Sequence, residues 1–524
     1  MTTPPVPSDR LLPLTGAQAG IWNAQRLEPD SPYYVVGDVV EISGGQEPID
    51  AAVLAEAVRA TTEEAESLRL RVYDTPAGPR QTVSDAPVPL PPVIDLAGED
   101  DPAAAAAALV EAERARAAET CREMTDRPLY SPVVIRLSDH EVWYTQLGHH
   151  LVFDGYSGAM LARRTAAHYT ALVRGTEAPK RTFGTLEALV AADREYRASD
   201  RAAADRAYWV DRFTPLPDVD DARPATGPSG RSLTARTVLG PEDTARLRDF
   251  AERHKATWGE ALIACYAAFL HRVLGRTDVV FALPLMCRTA PVELRTPAMA
   301  VNVLPLRVDV HGDDGFGDLT RRVAAALRET RRHQRYRGED LPRDLGVPGA
   351  GALLHGRGIN LKAFDLAMDF AGATGVMRNV AGGPPEDMGL SVLPTTDGGL
   401  LLGFEVDARD NDQESVDGKL AGLLALLDGL LDGRAVGRIP LTGGTGAPPP
   451  AWTPEALPGT PPLVPDAFDA MAQTADAAEA ALVCGDERLT ARELAGRVHR
   501  LARALRARGI GPDDIVALAL PRSA

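Results

Sequence analysis

Helix-like and strand-like segments alternate along the first 440 residues of the chain, in two successive series. In the first series, residues 33–43 and 67–74 have the composition and alternation of strands, among segments with helical periodicity. In the second, residues 278–288 and 302–310 predict strands, followed by a long helical segment over 316–338. Such alternation is typical of α/β folds, and 524 residues exceed one ordinary core, so more than one compact unit is expected.

Glycine and proline positions in the sequence predict the boundaries between these units. The first series ends soon after Gly175, a candidate helix stop, and residues 440–462 are rich in proline and glycine. The expected division is therefore as follows: a first subdomain over 1–178, a second over 179–440, a linker over 441–462 and a short segment over 463–524. The last segment predicts a helix, a turn and a strand, too little to bury much core alone.

Composition excludes several classes of partner. The formal net charge of −17 argues against binding to nucleic acid, because phosphate recognition needs basic clusters. No stretch approaches the roughly 18 apolar residues of a membrane span, and the amino-terminal residues do not resemble a signal peptide. The four cysteines are far apart and predict free thiols rather than a zinc site. We therefore expect a cytoplasmic protein with neither a nucleic-acid nor a membrane partner.

The stretch QLGHHLVFDGYSGAML, residues 146–161, places several potentially catalytic residues at one strand-to-helix corner. A strand ending at His149 and His150 directs the two imidazoles to opposite faces. Asp154 follows, Gly155 allows close backbone approach, and Ser157 is expected to cap the next helix, whose N–H groups favour negative charge. A base, an orienting carboxylate and amide donors suit acyl transfer.

Three other interpretations of this corner remain open from the residues alone. The histidines could be a core pair beside a capped helix. They could bind a metal with Asp154 as third ligand, although no further cluster supports such a site. Ser157 could be a hydrolase nucleophile, although the chain has no GxSxG motif.

The pattern H-H-x3-D-G resembles the central motif of condensation domains in nonribosomal peptide synthetases. Further segments resemble other motifs of that family in the same order: residues 14–36, 67–73, 256–288, 298–308 and 331–341. Residues 489–520, LTARELAGRVHRLARALRARGIGPDDIVALAL, resemble the first segment of an adenylation domain. The resemblance therefore covers most of the chain.

This resemblance implies an α/β fold of two chloramphenicol-acetyltransferase-like subdomains in a V-shaped arrangement, with a central tunnel and a short adenylation fragment. Two carrier proteins would deliver substrates on phosphopantetheine arms, and the chain itself would bind no cofactor and no metal. The amine of the acceptor would attack the donor thioester, forming an amide.

The resemblance also implies roles for the motif residues. His150 takes the central role, as general base or as a hydrogen-bond anchor for the amine. His149, placed with it in the candidate catalytic group, is expected to brace the strand. Gly155 offers its amide to the oxyanion, and Asp154 pairs with Arg288 as structural support.

Two further residues are placed at the tunnel by the resemblance. Asn302 is expected in the tunnel wall or a bridging region, although a satisfied strand asparagine is an equal alternative. Ser157 is a second possible tunnel residue.

Departures from the common family pattern indicate a subgroup. The chain reads TTEEAESLRLR where many members have an Arg-His-Glu triplet, and RYRGEDLP follows the histidine-glutamine pair of residues 333 and 334. With the opening GIWNAQRLEPDSP, these features look most like enterobactin- and bacillibactin-type siderophore synthetases. A dihydroxybenzoyl donor on a separate aryl carrier protein is then expected, with an acceptor peptidyl carrier downstream.

Alternatives to this function also remain. A fatty acyl donor would make the chain a lipopeptide-initiating condensation domain. An epimerisation domain and a coenzyme A-dependent acyltransferase belong to the same superfamily. A catalytically inactive domain would serve only as a docking platform for carriers or partners.

Overall fold

The computed structural model describes most of the chain: residues 11–217, 232–347, 354, 356–362, 367–382, 388–409, 411–441, 464–474, 479–511 and 514–520. It divides into two compact units, residues 1–449 and 450–524. The predicted linker over 441–462 lies outside the described residues except for its first residue. The predicted subdomain boundaries at residues 178 and 440 stay predictions.

The first unit is built from strands in its described part as follows: β1 (Leu12–Pro13), β2 (Val35–Ser43), β3 (Leu70–Tyr73), β4 (Arg80–Val83), β5 (Val93–Asp95), β6 (Val134–Ser138), β7 (Glu141–His149), β8 (Ser232–Leu239), β9 (Asp278–Leu285), β10 (Asn302–Asp309), β11 (Arg357–Leu361), β12 (Ala367–Phe370), β13 (Ala373–Ala381), β14 (Met388–Pro394) and β15 (Leu400–Asp407).

Its helices are α1 (Gly16–Leu27), α2 (Ala51–Glu64), α3 (Pro102–Cys121), α4 (Gly155–Arg174), α5 (Leu186–Arg197), α6 (Asp200–Arg212), α7 (Pro241–Arg253), α8 (Trp258–Leu274), α9 (Pro291–Arg295), α10 (Phe316–Arg332), α11 (Leu341–Asp344) and α12 (Gln413–Leu431). Short 3-10 helices cover Pro32–Tyr34, Glu66–Arg69, Gly338–Asp340 and Val436–Arg438.

The first six-stranded sheet has the order β12-β13-β2-β7-β6-β5. Its two central strands, β2 and β7, are antiparallel and consist largely of buried residues, because helices cover both faces. Val40 and Ile42 pack with residues of α2 and α4 on one face. Val39 packs with residues of α3 on the other. Because side chains alternate along β2, this strand contributes residues to a separate hydrophobic core on each face of the sheet.

The second six-stranded sheet has the order β10-β9-β11-β14-β15-β8. Helix α8 supports it, and residues 261–270 of that helix are all buried. A helix with apolar residues on every side must be enclosed, which explains this position. The two sheets with their helices form the two α/β halves that the sequence predicted.

A crossover joins the two sheets. Strand β11 belongs to the second sheet, but β12 and β13 add to the edge of the first, where β13 pairs with β2 from Thr374↔Ser43 to Ala381↔Gly37. The chain then returns as β14, which pairs parallel to β11. No local pattern in the sequence predicts this exchange, because strand pairing of this kind depends on residues distant in the chain.

The second unit contains helix α13 (Val464–Thr474), an antiparallel hairpin of β16 (Ala480–Cys484) and β17 (Glu487–Thr490), and helix α14 (Ala491–Arg506). The predicted helix is present as α14. The strand expected at the end of this segment is wrong for the described residues 514–520, which pair with no strand there. Ile515 and Leu518 are almost fully exposed, since no described neighbour covers them.

Candidate active site at the strand-to-helix corner

The corner that the sequence singled out connects β7 to α4. Strand β7 ends at His149, and α4 begins at Gly155. Asp154 is the N-cap residue, and its carboxylate accepts a hydrogen bond from the backbone N–H of Ser157. The prediction that Ser157 caps this helix is therefore wrong. An aspartate three residues earlier has the extended backbone and the reach that an N-cap needs.

His149 is fully buried and holds the strand end in place. Its Nδ1 accepts a hydrogen bond from the Leu151 N–H at 3.1 Å, so its Nε2 donates to Gln25 Oε1 at 3.2 Å. Burial, together with the neighbouring His150, lowers the pKa of His149 to about 3. His149 does not line the cavity, so the structure corrects its place in the candidate catalytic group: it braces the strand.

His150 faces the cavity. Its backbone N–H donates to the Tyr34 carbonyl at 2.7 Å, and its Nδ1 lies 3.0 Å from the Phe153 carbonyl oxygen. A carbonyl only accepts, so Nδ1 carries the proton and Nε2 presents a lone pair. Burial lowers the pKa of His150, although Asp154 and the Phe153 carbonyl oppose that effect. The neutral imidazole is therefore the favoured form.

Asp154 and Arg288 form a fully buried bidentate ion pair. The Nη1–Oδ2 and Nη2–Oδ1 distances are 3.0 and 2.9 Å. The same carboxylate accepts hydrogen bonds from the backbone N–H groups of Ala300 and Val301. Burial by itself would raise the pKa of Asp154, but the Arg288 charge and these hydrogen bonds outweigh it and lower the pKa. The pair joins the corner to a segment of the second half.

Gly155 opens α4 and is exposed to the cavity. A Cβ atom at this position would meet no protein atom within 4 Å, so a side chain would project into the cavity. Its backbone N–H has no hydrogen-bond partner among the described residues. This amide is the first donor of a 20-residue helix, where the helix dipole favours negative charge.

Ser157 and Asn302 are placed differently from expectation. Ser157 is fully buried, and its Oγ lies between Asp154, Arg288 and the Ala298 carbonyl. It neither lines the cavity nor is accessible as a nucleophile, because the ion pair encloses it.

Asn302 starts β10 and is also fully buried. Its amide nitrogen donates to the carbonyls of Gln334 and Tyr336, and its oxygen accepts from the Gly338 N–H. Asn302 is therefore a strand asparagine whose hydrogen bonds are satisfied within the protein. It does not lie in the cavity wall.

A cavity of about 1320 Å³ lies between the two halves of the first unit. His150, Phe153 and Gly155 line it from the first half, and Trp258 and Leu285 are among the residues that line it from the second. Sequence reasoning missed Gln25, Tyr34 and Phe153, which orient the two histidines. Gln25 and Tyr34 lie in the opening segment that carried the family resemblance, but its pattern alone does not show what they contact.

No group of three or more His, Cys, Asp or Glu in the described part of the chain could hold a metal ion. Within the same residues, no helix is long and apolar enough to cross a membrane.

Comparison with known proteins identifies this arrangement. The family model described as "Condensation domain" matches residues 8–366. The chain belongs to the condensation-domain family. The model described as "AMP-binding enzyme" matches residues 468–524, in agreement with the predicted adenylation fragment.

This condensation domain is similar to parts of several large synthases. It is 36% identical over 97% of its length to a dimodular nonribosomal peptide synthase of Bacillus subtilis (strain 168), and covers 21% of that protein. It is 36% identical over 97% to an isonitrile lipopeptide synthase of Streptomyces coeruleorubidus, covering 34%. It is 31% identical over 98% to enterobactin synthase component F of Escherichia coli O157:H7, covering 40%. The chain thus spans less than half the length of these relatives.

Solved structures of condensation domains support the same family assignment. A variant of the starter condensation domain of rhizomide synthetase, in complex with C8-CoA and Leu-SNAC, matches with a TM-score of 0.74 and 29% identity. The match covers 82% of this chain and 96% of that one. The predicted fold class, two acetyltransferase-like subdomains in a V-shaped arrangement, is confirmed. Condensation domains of nonribosomal peptide synthetases form amide bonds.

Proposed function

We propose that this condensation domain joins a donor acyl group to an acceptor amino acid, both carried as thioesters on phosphopantetheine arms of carrier proteins. The proposal rests on one observation: the imidazole of His150 and the backbone amide of Gly155 lie at the same cavity. A base with an available lone pair and an unpaired N–H donor are what an amine attacking a thioester requires.

His150 would act through Nε2. Its Nδ1–H is held by the Phe153 carbonyl, so Nε2 accepts a hydrogen bond from the acceptor amine. As the nitrogen attacks the donor carbonyl, the C–N bond forms, the C–S bond breaks, and the amine proton passes to the leaving thiolate. His150 serves this step as base or as anchor for the amine, and both roles need the neutral imidazole.

Gly155 would stabilise the oxyanion of the tetrahedral intermediate. Its N–H stands at the positive end of α4, and the absence of a side chain leaves room for the thioester. Removing a single oxyanion donor typically costs about 10²–10³ in rate.

Asp154 and Arg288 act as positioning residues. Their ion pair links the corner to the segment around Ala298, and Arg288 also covers the ring of Tyr156, with 4.5 Å between its Cζ and the ring centre. This contact keeps the first turn of α4 fixed against the second half. We therefore expect the cavity to keep its shape only while the pair is intact.

For the donor we propose a dihydroxybenzoyl group delivered by an aryl carrier protein in trans, in siderophore biosynthesis. The similarity to enterobactin synthase component F supports this choice. The similarity to an isonitrile lipopeptide synthase supports the alternative of a fatty acyl donor.

A reconstituted transfer assay tests the proposal. One carrier protein bears a dihydroxybenzoyl or octanoyl thioester, the second bears an aminoacyl thioester, and intact mass spectrometry follows the second. We expect the donor mass to move onto the acceptor, and His150→Ala to slow this transfer by about 10²–10⁴-fold. His140→Ala, which alters an exposed histidine, is the matched control.

The assay has clear contrary outcomes. Equal rates for the unchanged chain and His150→Ala would show that the histidine corner is structural. Absence of any transfer, while both carriers still bind, would favour a docking platform. The better donor of the two distinguishes a siderophore from a lipopeptide substrate.

A further inference from the structure

A cluster of polar side chains lines the same cavity beside the histidine corner. Asp38 lies on β2, Asn379 on β13 and Glu405 on β15, and Lys362 directly follows β11. The cluster therefore draws on both sheets and faces the cavity from both halves. The motif residues identified from the sequence include none of these four.

The two central charges of this cluster are incompletely paired among the described residues. Asp38 is 8% exposed, and Asn379 is its one side-chain hydrogen-bond partner among the described residues, at 3.0 Å. Lys362 Nζ makes no hydrogen bond or ion pair within the part of the chain that the structure describes. Burial raises the pKa of Asp38 and lowers that of Lys362, with each charge opposing the shift of the other.

Charged groups at a buried site are costly unless their hydrogen-bonding capacity is filled, and a single amide donor fills only part of the capacity of the Asp38 carboxylate. An alkyl chain in this part of the cavity would exclude water and leave Lys362 without a hydrogen-bond partner and Asp38 with Asn379 alone among the described residues. A ligand with a hydroxyl group could donate to the Asp38 carboxylate and accept from the Lys362 ammonium. A pair of opposite charges in a cavity can therefore distinguish a hydroxyl-bearing group from a hydrocarbon one by its hydrogen bonds.

Asp38 of this cluster lies beside the first turns of α4, the helix that begins at Gly155. Asp38 Oδ2 is so close to α4 that a Cβ on Gly158 would approach it to 3.1 Å. Gly158 is three residues along the helix from Gly155, an axial rise of about 4.5 Å. A group one aromatic ring or a few atoms away from the thioester carbonyl would reach the cluster.

We propose that Asp38 and Lys362 form a specificity site that selects a hydroxyl-bearing substrate group over a plain hydrocarbon one. This inference rests on the proposed function, because it assumes that the cavity holds the reacting acyl groups. The hydroxyl could belong to the donor acyl group or to the side chain of the acceptor amino acid.

Binding of inert pantetheine amides by calorimetry tests the site without requiring turnover. Donor-side probes are dihydroxybenzoyl-, benzoyl- and octanoyl-pantetheine amides, and acceptor-side probes are seryl- and alanyl-pantetheine amides. Asp38→Asn and Lys362→Met keep the size of each side chain and remove its charge. Lys180→Met, an exposed lysine outside the cavity, is the control.

We expect the hydroxylated probe of one side to bind the unchanged chain more tightly than its plain counterpart. Either cavity variant should weaken that probe by about 10- to 100-fold, the range for hydrogen bonds to charged groups. The plain probes should change by less than about twofold. The side on which the preference appears identifies the source of the hydroxyl.

Two results would overturn the inference: no preference for a hydroxylated probe on either side, or equal weakening of hydroxylated and plain probes in the variants. The second result would make the pair a structural element of the cavity wall. Because binding is measured without condensation, failure of this site and failure of the proposed function give different results.

Discussion

His149 and His150 are neighbours in the chain with opposite environments. One is held by Gln25 and the Leu151 N–H, and the other presents Nε2 to the cavity. Alternation along a strand requires that two consecutive side chains point to opposite sides, which the sequence shows. Which of them meets the cavity depends on where the second half of the unit packs.

The buried state of His149 predicts a pH-dependent stability. The unfolded chain takes up this proton below about the ordinary pKa of 6.5, whereas the folded chain stays neutral down to a pKa of about 3. The contribution of neutral His149 to the free energy of unfolding is therefore complete above pH 6.5. It is lost as the pH falls from 6.5 towards 3, at up to about 1.4 kcal/mol per pH unit.

Urea unfolding at about pH 7.5 and about pH 5 measures this effect. His149→Gln keeps one donor and one acceptor but does not titrate, so it should lose less unfolding free energy between the two pH values. His140→Gln should behave like the unchanged chain. Identical losses for His149→Gln and the unchanged chain would contradict the prediction.

Substitution of Gly155 by alanine is expected to slow the transfer reaction without changing the stability of the fold. A methyl group there meets no protein atom, so the melting temperature of Gly155→Ala should stay near that of the unchanged chain. The methyl would instead displace the thioester, and we expect transfer to slow by about 10- to 100-fold. Gly98→Ala, at another glycine with open space around its Cβ, is the control for both measurements.

At the scale of elements, the crossover of β12 and β13 shapes the site. Strand β13 pairs with β2 and carries an irregularity between Asn379 and Ala381, both of which line the cavity. Bulges of this kind redirect side chains near functional sites. A strand that lies in the sequence between two strands of the second sheet thus completes the cavity wall of the first.

The packing of this crossover predicts a stability effect at Gly375. A Cβ on Gly375 would come within 2.4 Å of the Phe370 ring on β12, which is buried against Tyr144 and Tyr169. Gly375→Ala should therefore lower the free energy of unfolding by about 1–3 kcal/mol. Gly389→Ala on β14, where a Cβ meets nothing within 4 Å, should not. Equal unfolding midpoints for the two variants would contradict this account.

At the scale of the whole molecule, the two compact units differ in how much they bury. The first has extended cores on both faces of its first six-stranded sheet, and it encloses residues 261–270 of α8 against the second. In the described part of the second, the buried apolar residues are Leu489, Ala491 and Ala495, while Val464 and Ile515 are exposed. Small buried area gives little stabilisation against local opening.

Hydrogen exchange followed by mass spectrometry measures this difference. Backbone amides of α14 should exchange at least about 100-fold faster than those of β2 and β7, because opening them exposes less apolar surface. Exchange from the exposed loop around Gly98 gives the unprotected reference within the same sample. Equal protection of α14 and the central strands would show that the second unit has a core that its described residues do not reveal.

The sequence by itself determined the alternation that makes the α/β halves, the positions of the central strands, and the corner with Asp154, Gly155 and the two histidines. These features are local: periodicity and turn chemistry act over a few residues. The family resemblance, carried by motifs in order along the chain, added Arg288 and its pairing with Asp154.

The resemblance also favoured His150 over His149 for the central role, and the structure places His150 at the cavity. Only the tertiary structure decided that Ser157 and Asn302 are enclosed rather than exposed, and that Lys362 lies in one cavity with Asp38. It also decided the exchange of β12 and β13 between the sheets. Each of these depends on contacts between segments far apart in the chain, whose partners are selected by packing of the whole fold and leave no local pattern.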